Sequence, residues 1–363
     1  MSKKNNQIRK IAIISDPPYM KSGFGTVTKS VMDVLIKNNY KVTNFSLSTS
    51  FDVPYGSNGS VVQIDASAET VAKYISNNYD CLIGIYNPTA TYLSIVDYYN
   101  MVFINSQNII KIGYFEHEAV GFPKGVMDYV YNFITENNID LVMVDKSQNI
   151  FGFKDVSYIP HGIDFDYFKP SESPVKKYAT SIMTNTIRKR WDKIILGIER
   201  VPAINNYYFI TDIDGFYNIN KMLGSLSLPK ERTVNINITR ARDMYNDVLK
   251  ETLIHVEPTD GEGFALPVAE TLAYAIPNVA TDLPVFRNLY GDNIEYIKSE
   301  KKIARDGSVQ FEPDTESYIE KLKLVYDNWD VYRNRLIKNR EGLRKKLGLE
   351  TFEKNILGLI RKY

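Results

Sequence analysis

The sequence of 363 residues predicts an α/β protein built from two doubly wound domains. Three observations carry that expectation. Ile11-Ala-Ile-Ile-Ser-Asp has the unbroken apolar character of a strand covered on both faces, and a glycine-bearing loop, Ser22-Gly-Phe-Gly, leads from it to Val27, Val31, Val34 and Leu35 at helical spacing. A second strand, loop and helix run through the stretch from His255 to Arg287. Between the two units, Pro170-Ser-Glu-Ser-Pro is polar and proline-bearing, which is linker chemistry, and the length supports two hydrophobic cores.

Composition narrows the function classes. Hydrophobic residues are 44% and charged residues 24%, ordinary for a soluble globular chain. A net charge of +1 provides no global field to recruit nucleic acid. The single cysteine, Cys81, cannot form an internal disulfide, which suits a reducing, cytoplasmic setting. The apolar run Ile11–Ile14 is too short for a signal segment, and no run approaches the ~20 apolar residues of a membrane span.

Along the first half, strands are expected at Lys41–Leu47, Val61–Ile64, Cys81–Ile85, Val102–Asn105 and Ile110–Phe115. The last delivers Glu116-His117-Glu118 to the carboxyl end of a strand, the edge at which open α/β sheets bind ligands. A histidine between two carboxylates suits a proton shuttle or a hydrogen-bonding group; a histidine packed against a domain interface is the plainer alternative. A dinucleotide fingerprint needs G-x-G-x-x-G, but Thr28 stands where the third glycine would follow Gly23 and Gly25. That argues against a nicotinamide cofactor and leaves the two glycines as a tight turn or a substrate contact. A helix at Pro123–Glu136 and a strand at Asp140–Val144 follow. Pro160, His161 and Gly162 then fit a turn, with His161 a turn residue rather than a catalyst.

In the second half, a strand at Tyr178–Met183 precedes Thr186-Ile-Arg-Lys-Arg-Trp-Asp, which opens a helix with Trp191, Ile194, Ile195, Ile198 and Val201 on one face. Arg188, Lys189 and Arg190 fall at its start, where the helix dipole disfavours each cation by about 0.3–1 kcal/mol. Either the turn is solvated or a bound diphosphate offsets the cost. Strands at Tyr207–Ile210 and Val234–Ile238 and a helix at Asp243–Lys250 lead to the stretch beginning at His255.

That stretch carries the chemistry. Pro267 suits the first turn of a helix, so Gly263 and Phe264 lie at or just before a helix N-terminus, whose outward amides form a site for phosphate. Glu262 lies in the loop and Glu270 in the helix, about 80° apart on an ideal helix, so both can face one cleft. An ionised carboxylate only accepts hydrogen bonds, whereas a vicinal diol donates two. Two carboxylates beside a phosphate cradle therefore suit a molecule with phosphate in the middle and hydroxylated rings at both ends, the shape of a nucleotide sugar. The plainer alternative is a capping Glu and a solvated Glu.

The string Glu262-Gly-Phe-Ala-Leu-Pro-Val-Ala-Glu270, followed by Leu272-Ala-Tyr-Ala and Pro277-Asn-Val-Ala-Thr-Asp, resembles the E-x7-E element of retaining glycosyltransferases of the GT-B type, family 4. Val156–Pro170 is similar to the P-x-G-x-D … F-x-P segment that closes the first domain in that family, and the resemblance, strongest over Asp247–Asn293, covers most of the chain. It implies a GT-B fold, two Rossmann-like domains facing a central cleft: an acceptor-side domain at 1–170, a nucleotide-sugar-binding domain at 171–335, and a basic helix at 336–363 packing back on the first domain. It implies that Glu270 holds the ribose hydroxyls and Glu262 those of the donor sugar. Lys189, which matches the family lysine, Arg188 and the Gly263, Phe264 and Ala265 backbone would hold the diphosphate. His117 would lie near the transferred sugar, making His117, Glu262 and Lys189 the catalytic set. Gly23 and Gly25 fall on the donor side, and Tyr19, Glu116 and Glu118 on the acceptor side. The family's other arginine is absent, with Met183, Thr184 and Asn185 standing there.

The expected reaction moves a sugar from a nucleotide-diphosphate sugar to a glycan, glycolipid or protein, with no metal and no further cofactor. The rivals are a nucleotide-sugar 2-epimerase of the same fold and a non-catalytic sugar- or nucleotide-binding module. The stretch from Val331 to Tyr363 is expected to be helical, with ten Lys and Arg against three Glu, and a basic amphipathic helix can touch an anionic membrane surface.

Overall fold

The computed structural model describes residues 8–48, 52–90, 93–211, 215–226, 229, 231–237 and 242–363. The chain forms two compact units. The first holds residues up to His117, Phe122–Gly162 and Leu349–Tyr363; the second holds Glu118–Gly121 and Ile163–Gly348. Pro170–Pro174 therefore lies within the second unit.

The first unit contains β1 (Lys10–Ile14), α1 (Gly23–Lys37), β2 (Lys41–Ser46), β3 (Val53–Tyr55), β4 (Gly59–Gln63), α2 (Ala68–Asn78), β5 (Cys81–Tyr86), α3 (Ser94–Asn105), β6 (Ile110–Phe115), α4 (Lys124–Glu136), β7 (Asp140–Met143) and β8 (Val156–Tyr158). Among the described residues its sheet runs β3-β4-β2-β1-β5-β6-β7-β8, parallel except for the edge strand β3. Parallel strands covered on both faces are apolar throughout, and every residue of β5 is buried. Phe45, Ile75, Leu82, Phe103, Phe115 and Phe133 fill one layer of the core. Cys81 is a buried free thiol, and burial pushes its pKa up.

Two local expectations fail here. Val102–Asn105 is the last turn of α3, because Val96, Tyr99, Val102 and Phe103 recur at helical spacing and bury one face. The glycine loop after β1 is shorter than expected. Ser22 is the N-cap of α1, accepting from the Gly25 amide at 3.0 Å, so Gly23-Phe-Gly25 forms the first helical turn. Gly25 has a packing reason: a Cβ there would lie 2.4 Å from the Met20 carbonyl oxygen and 2.9 Å from that of Pro17.

The second unit contains β9 (Tyr178–Ile182), α5 (Trp191–Arg200), β10 (Asn206–Ile210), α6 (Ile219–Gly224), β11 (Thr233–Asn237), α7 (Arg242–Lys250), β12 (Thr252–Glu257), α8 (Leu266–Ala273), β13 (Asn278–Thr281), α9 (Pro284–Tyr290), β14 (Glu295–Ile297), the hairpin β15 (Ser299–Ile303) and β16 (Val309–Pro313), α10 (Thr315–Asp327) and α11 (Trp329–Leu347). Its main sheet runs β11-β10-β9-β12-β13-β14, parallel throughout among the described residues. Trp191, Phe209, Ile254, Tyr318 and Trp329 anchor the core. The Trp329 indole N–H donates to the Leu253 carbonyl at 2.7 Å, satisfying its polar atom inside that core. Ile238, expected to end the third strand, lies outside the described residues.

The C-terminal stretch is two helices, with a break at Gly348 in extended backbone, and α12 (Leu349–Ile360) belongs to the first unit. There Glu353 accepts from Lys37 at 2.8 Å and Asn38 at 3.1 Å. Several basic residues of α11 are engaged within the second unit. Arg340 donates to the carbonyls of Ala273 and Phe165, Arg333 to those of Ala275 and Ser171, and Arg344 pairs with Asp166. Among the described residues no helix is long and apolar enough to cross a membrane.

Candidate functional site

In the second sheet the strand order reverses between the neighbours β9 and β12. Both strands run in the same direction, so the chain segments that follow them emerge together at the carboxyl edge. This is where doubly wound folds bind ligands. The segment after β9 carries Arg188 and Lys189; the segment after β12 carries Glu262.

Residues Ile187–Lys189 form a single 3-10 turn rather than the start of an α-helix. Arg190 ends it in the left-handed region, with φ 46°, and α5 begins only at Trp191. The loop after β12 locks this turn: the Asp260 amide donates to the Arg188 carbonyl at 2.7 Å.

The side chains close an ion network beneath the turn. Glu262 Oε1 accepts from Arg188 Nη1 at 2.6 Å, from the Thr259 hydroxyl at 2.9 Å and from Lys189 Nζ. Among the described residues no hydrogen bond reaches its Oε2. Lys189 Nζ also donates to Glu257 Oε1 at 3.0 Å, and Glu257 in turn meets His255 Nε2 at 3.3 Å through Oε2. Arg188 donates to the Gly261 carbonyl at 2.8 Å and pairs through Nη2 with Glu118. Burial pushes the Glu262 carboxyl up, but Arg188 and Lys189 more than offset this and hold it below the usual carboxylate range. Burial acts on Arg188 in the opposite sense, and the charges of Glu118 and Glu262 overcome it, so the guanidinium stays charged.

The reading of a solvated basic turn is corrected here. Lys189 and Glu257 are buried, and two cations face three carboxylates. The pairing joins residues 68 to 74 apart, a distance over which no local pattern in the sequence reports. A second network supports the first. Arg190 grips Asp192 with two bonds, at 3.0 and 2.7 Å, and reaches Glu312 at 2.6 Å and Asp260 at 3.3 Å. Lys302 meets Asp260 at 2.7 Å.

Helix α8 begins after Ala265, which takes the left-handed conformation at φ 60°, and no side chain caps its N-terminus. Gly263 and Phe264 precede it, and Pro267 falls in its first turn. Phe264 is fixed by Tyr290, whose hydroxyl donates to its carbonyl at 2.5 Å. Glu270 lies in α8, half-buried, and accepts from the Tyr245 hydroxyl.

In the first unit, His117 is buried at the end of β6. Its Nε2 meets the Gln148 carbonyl at 2.6 Å, which fixes the proton on that nitrogen, and its ring lies edge-on to Phe122 and Phe151. Glu116 pairs with His161 Nε2 at 2.7 Å, and His161 Nδ1 meets the Tyr114 hydroxyl at 2.9 Å. His161 is thus a buried bridging residue, which its turn-like sequence did not show. Tyr19 is 48% exposed, and a Cβ on Gly23 would meet open space. Among the described residues no group of three or more His, Cys, Asp and Glu is arranged to hold a metal ion.

Glu257, Thr259, Asp260 and Tyr245 were not singled out in the sequence. Glu257 ends the apolar run of β12, so the carboxyl-edge rule marks it once that strand is recognised. Tyr245, on α7, had no local signal.

No family model matches the chain, and no curated relative does. Solved structures match over its whole length. A sucrose-phosphate synthase from Thermosynechococcus elongatus superposes with a TM-score of 0.79 at 11% identity, covering 98% of both chains. Anabaena HepE in complex with UDP and glucose gives 0.74 at 10% identity, covering 98% of this chain and 100% of that one. A glycosyltransferase from Rickettsia africae gives 0.70 at 14% identity, covering 98% of both. At these identities the likeness is one of architecture, and the fold of this chain is GT-B, α/β with two Rossmann-like domains.

Proposed function

We propose that this protein is a glycosyltransferase that moves a sugar from a nucleotide-diphosphate sugar to an acceptor hydroxyl. One observation carries the proposal. At the switch point of the second sheet, a turn bearing Arg188 and Lys189 is locked against Glu262, and a helix N-terminus without a side-chain cap follows three residues later, with Glu270 on that helix. Cations and helix N-terminal amides carried by loops at one sheet edge suit a diphosphate leaving group, whose stabilisation is the electrostatic part of such a reaction. Carboxylates on either side of it suit the hydroxyls of the two sugar rings. The HepE structure with UDP and glucose supports the same ligand class.

The geometry and the E-x7-E resemblance together support a role for each residue. Glu262 is ionised and fixed through Oε1, leaving Oε2 to accept from a donor-sugar hydroxyl. Glu270 accepts from the ribose, with Tyr245 holding it beforehand. Arg188 and Lys189 serve the diphosphate. Retention of the anomeric configuration, family 4 membership and the part played by His117 rest on the resemblance; independence of a divalent metal rests on Arg188, Lys189 and the helix dipole offsetting the charge of the leaving group. The acceptor is a glycan, a glycolipid or a protein.

The test is thermal unfolding with a panel of nucleoside diphosphates. A diphosphate at 100 times its Kd should add about 2.7 kcal/mol of stability. No stabilisation by any member at millimolar concentration would overturn the proposal. Release of free nucleotide together with a glycosylated acceptor separates transfer from epimerisation, which yields a rearranged sugar, and from binding alone, which yields no product.

A further inference from the structure

Arg188 is shared by two carboxylates of different character. Glu262 is 7% exposed and accepts three hydrogen bonds on one oxygen; Glu118 is 41% exposed and pairs with the other terminal nitrogen of the guanidinium. The backbone around Glu118 is fixed to the second unit. The Val120 amide donates to the Val309 carbonyl at 2.9 Å, the Val309 amide donates to the Gly121 carbonyl at 2.8 Å, and a Cβ on Gly261 would lie only 1.9 Å from the Glu118 carbonyl oxygen. The Glu118 carboxylate can therefore leave Arg188 by rotating its own side chain, without movement of the segment that carries it.

Charge makes that departure necessary for an anion to bind. With Glu118 in place, Arg188 and Lys189 face three carboxylates and the cluster carries one net negative charge. With Glu118 withdrawn the cluster is neutral, and one edge of the guanidinium is open. Glu262 is also held by Lys189 and Thr259, so breaking its pair would strand a buried carboxylate, whereas the Glu118 carboxylate reaches solvent and is hydrated when it leaves. The exposed partner is the one that yields.

We infer that Glu118 is a built-in, displaceable counter-ion of Arg188, holding the place that the diphosphate of the donor takes and setting the threshold for its binding. This rests on the proposal that the site accepts a nucleotide diphosphate. In the resting protein the carboxylate keeps a half-buried guanidinium paired, and the incoming diphosphate exchanges with it, one anion for another.

The experiment is isothermal titration of UDP, and of uridine as a phosphate-free control, into the full chain and into Glu118→Gln and Glu118→Ala, with melting temperatures measured on all three. Loss of the competing charge should tighten UDP binding about two- to five-fold, the range expected for release of an exposed ion pair, and leave uridine unchanged. Equal or weaker UDP binding in both folded variants, or an equal gain for uridine, would overturn the inference while leaving the donor site intact. If the unaltered chain binds no nucleoside diphosphate, the proposed function itself fails, and this inference with it.

Discussion

Lys189 and Glu257, 68 residues apart in the chain, form a buried ion pair of 3.0 Å, with Glu262 as the second carboxylate on the same ammonium. A lysine at a helix start should contribute nothing to helix stability, and on that ground alone its removal would be harmless. Burial reverses that expectation. Lys189→Ala leaves Glu257 buried beside a cavity with no cation, and removing one partner of such a pair costs about 3–5 kcal/mol. The variant should melt well below the parent, by denaturant unfolding. Lys189→Arg should recover part of the stability. An unchanged midpoint for Lys189→Ala would show that the pair is not formed in solution.

Glu262 ties this network to pH. Its folded-state pKa lies below the usual carboxylate range. Its contribution to stability is therefore complete above the unfolded-state pKa and disappears as the pH falls through the lower folded value. Glu262→Gln should cost about 1–3 kcal/mol at neutral pH, because Arg188 and Lys189 each lose a charged acceptor. The difference from the parent should shrink steadily as the pH falls below the ordinary carboxylate value of 4.5, measured by urea unfolding. A difference that grows on acidification would contradict the assigned direction.

Glu270 and Tyr245 should act on the nucleoside end of the donor. Glu270→Ala is expected to weaken nucleotide-sugar binding more than binding of inorganic diphosphate, and Tyr245→Phe to do so by a smaller factor, since it removes only the hydroxyl that holds the carboxylate. Equal losses for both ligands in a titration would give Glu270 a purely structural role.

Gly261→Ala tests the closeness of the loop after β12 to the chain at Glu118. A Cβ 1.9 Å from a backbone oxygen cannot be accommodated without moving one segment. The variant should lose about 1–3 kcal/mol, as overpacked sites do. Wild-type stability would show that the two segments are not in contact.

What the sequence disclosed and what it hid follow from the range of each interaction. The strands with apolar runs, such as β1 and β5, were legible because parallel strands need apolar residues on both faces. The start of α8 was legible because Pro267 and the preceding glycines are local signals. Val102–Asn105 misled because the short apolar run Val102-Phe-Ile fits the end of a buried helix as well as a strand. The basic segment was expected at a helix start but forms the turn before α5, and its environment was hidden because its partners Glu257 and Glu262 arrive through the strand order of the sheet. His161 was hidden for the same reason: its partners Tyr114 and Glu116 lie 47 and 45 residues away.

The most direct test of the central claim is proton NMR of the anomeric signal while the protein turns over a nucleotide-diphosphate sugar, with UDP-glucose as the first probe and EDTA present. The account predicts release of the nucleoside diphosphate and a first sugar product with the same anomeric configuration as the donor. An inverted first product, or activity restored only by magnesium or manganese, would contradict it.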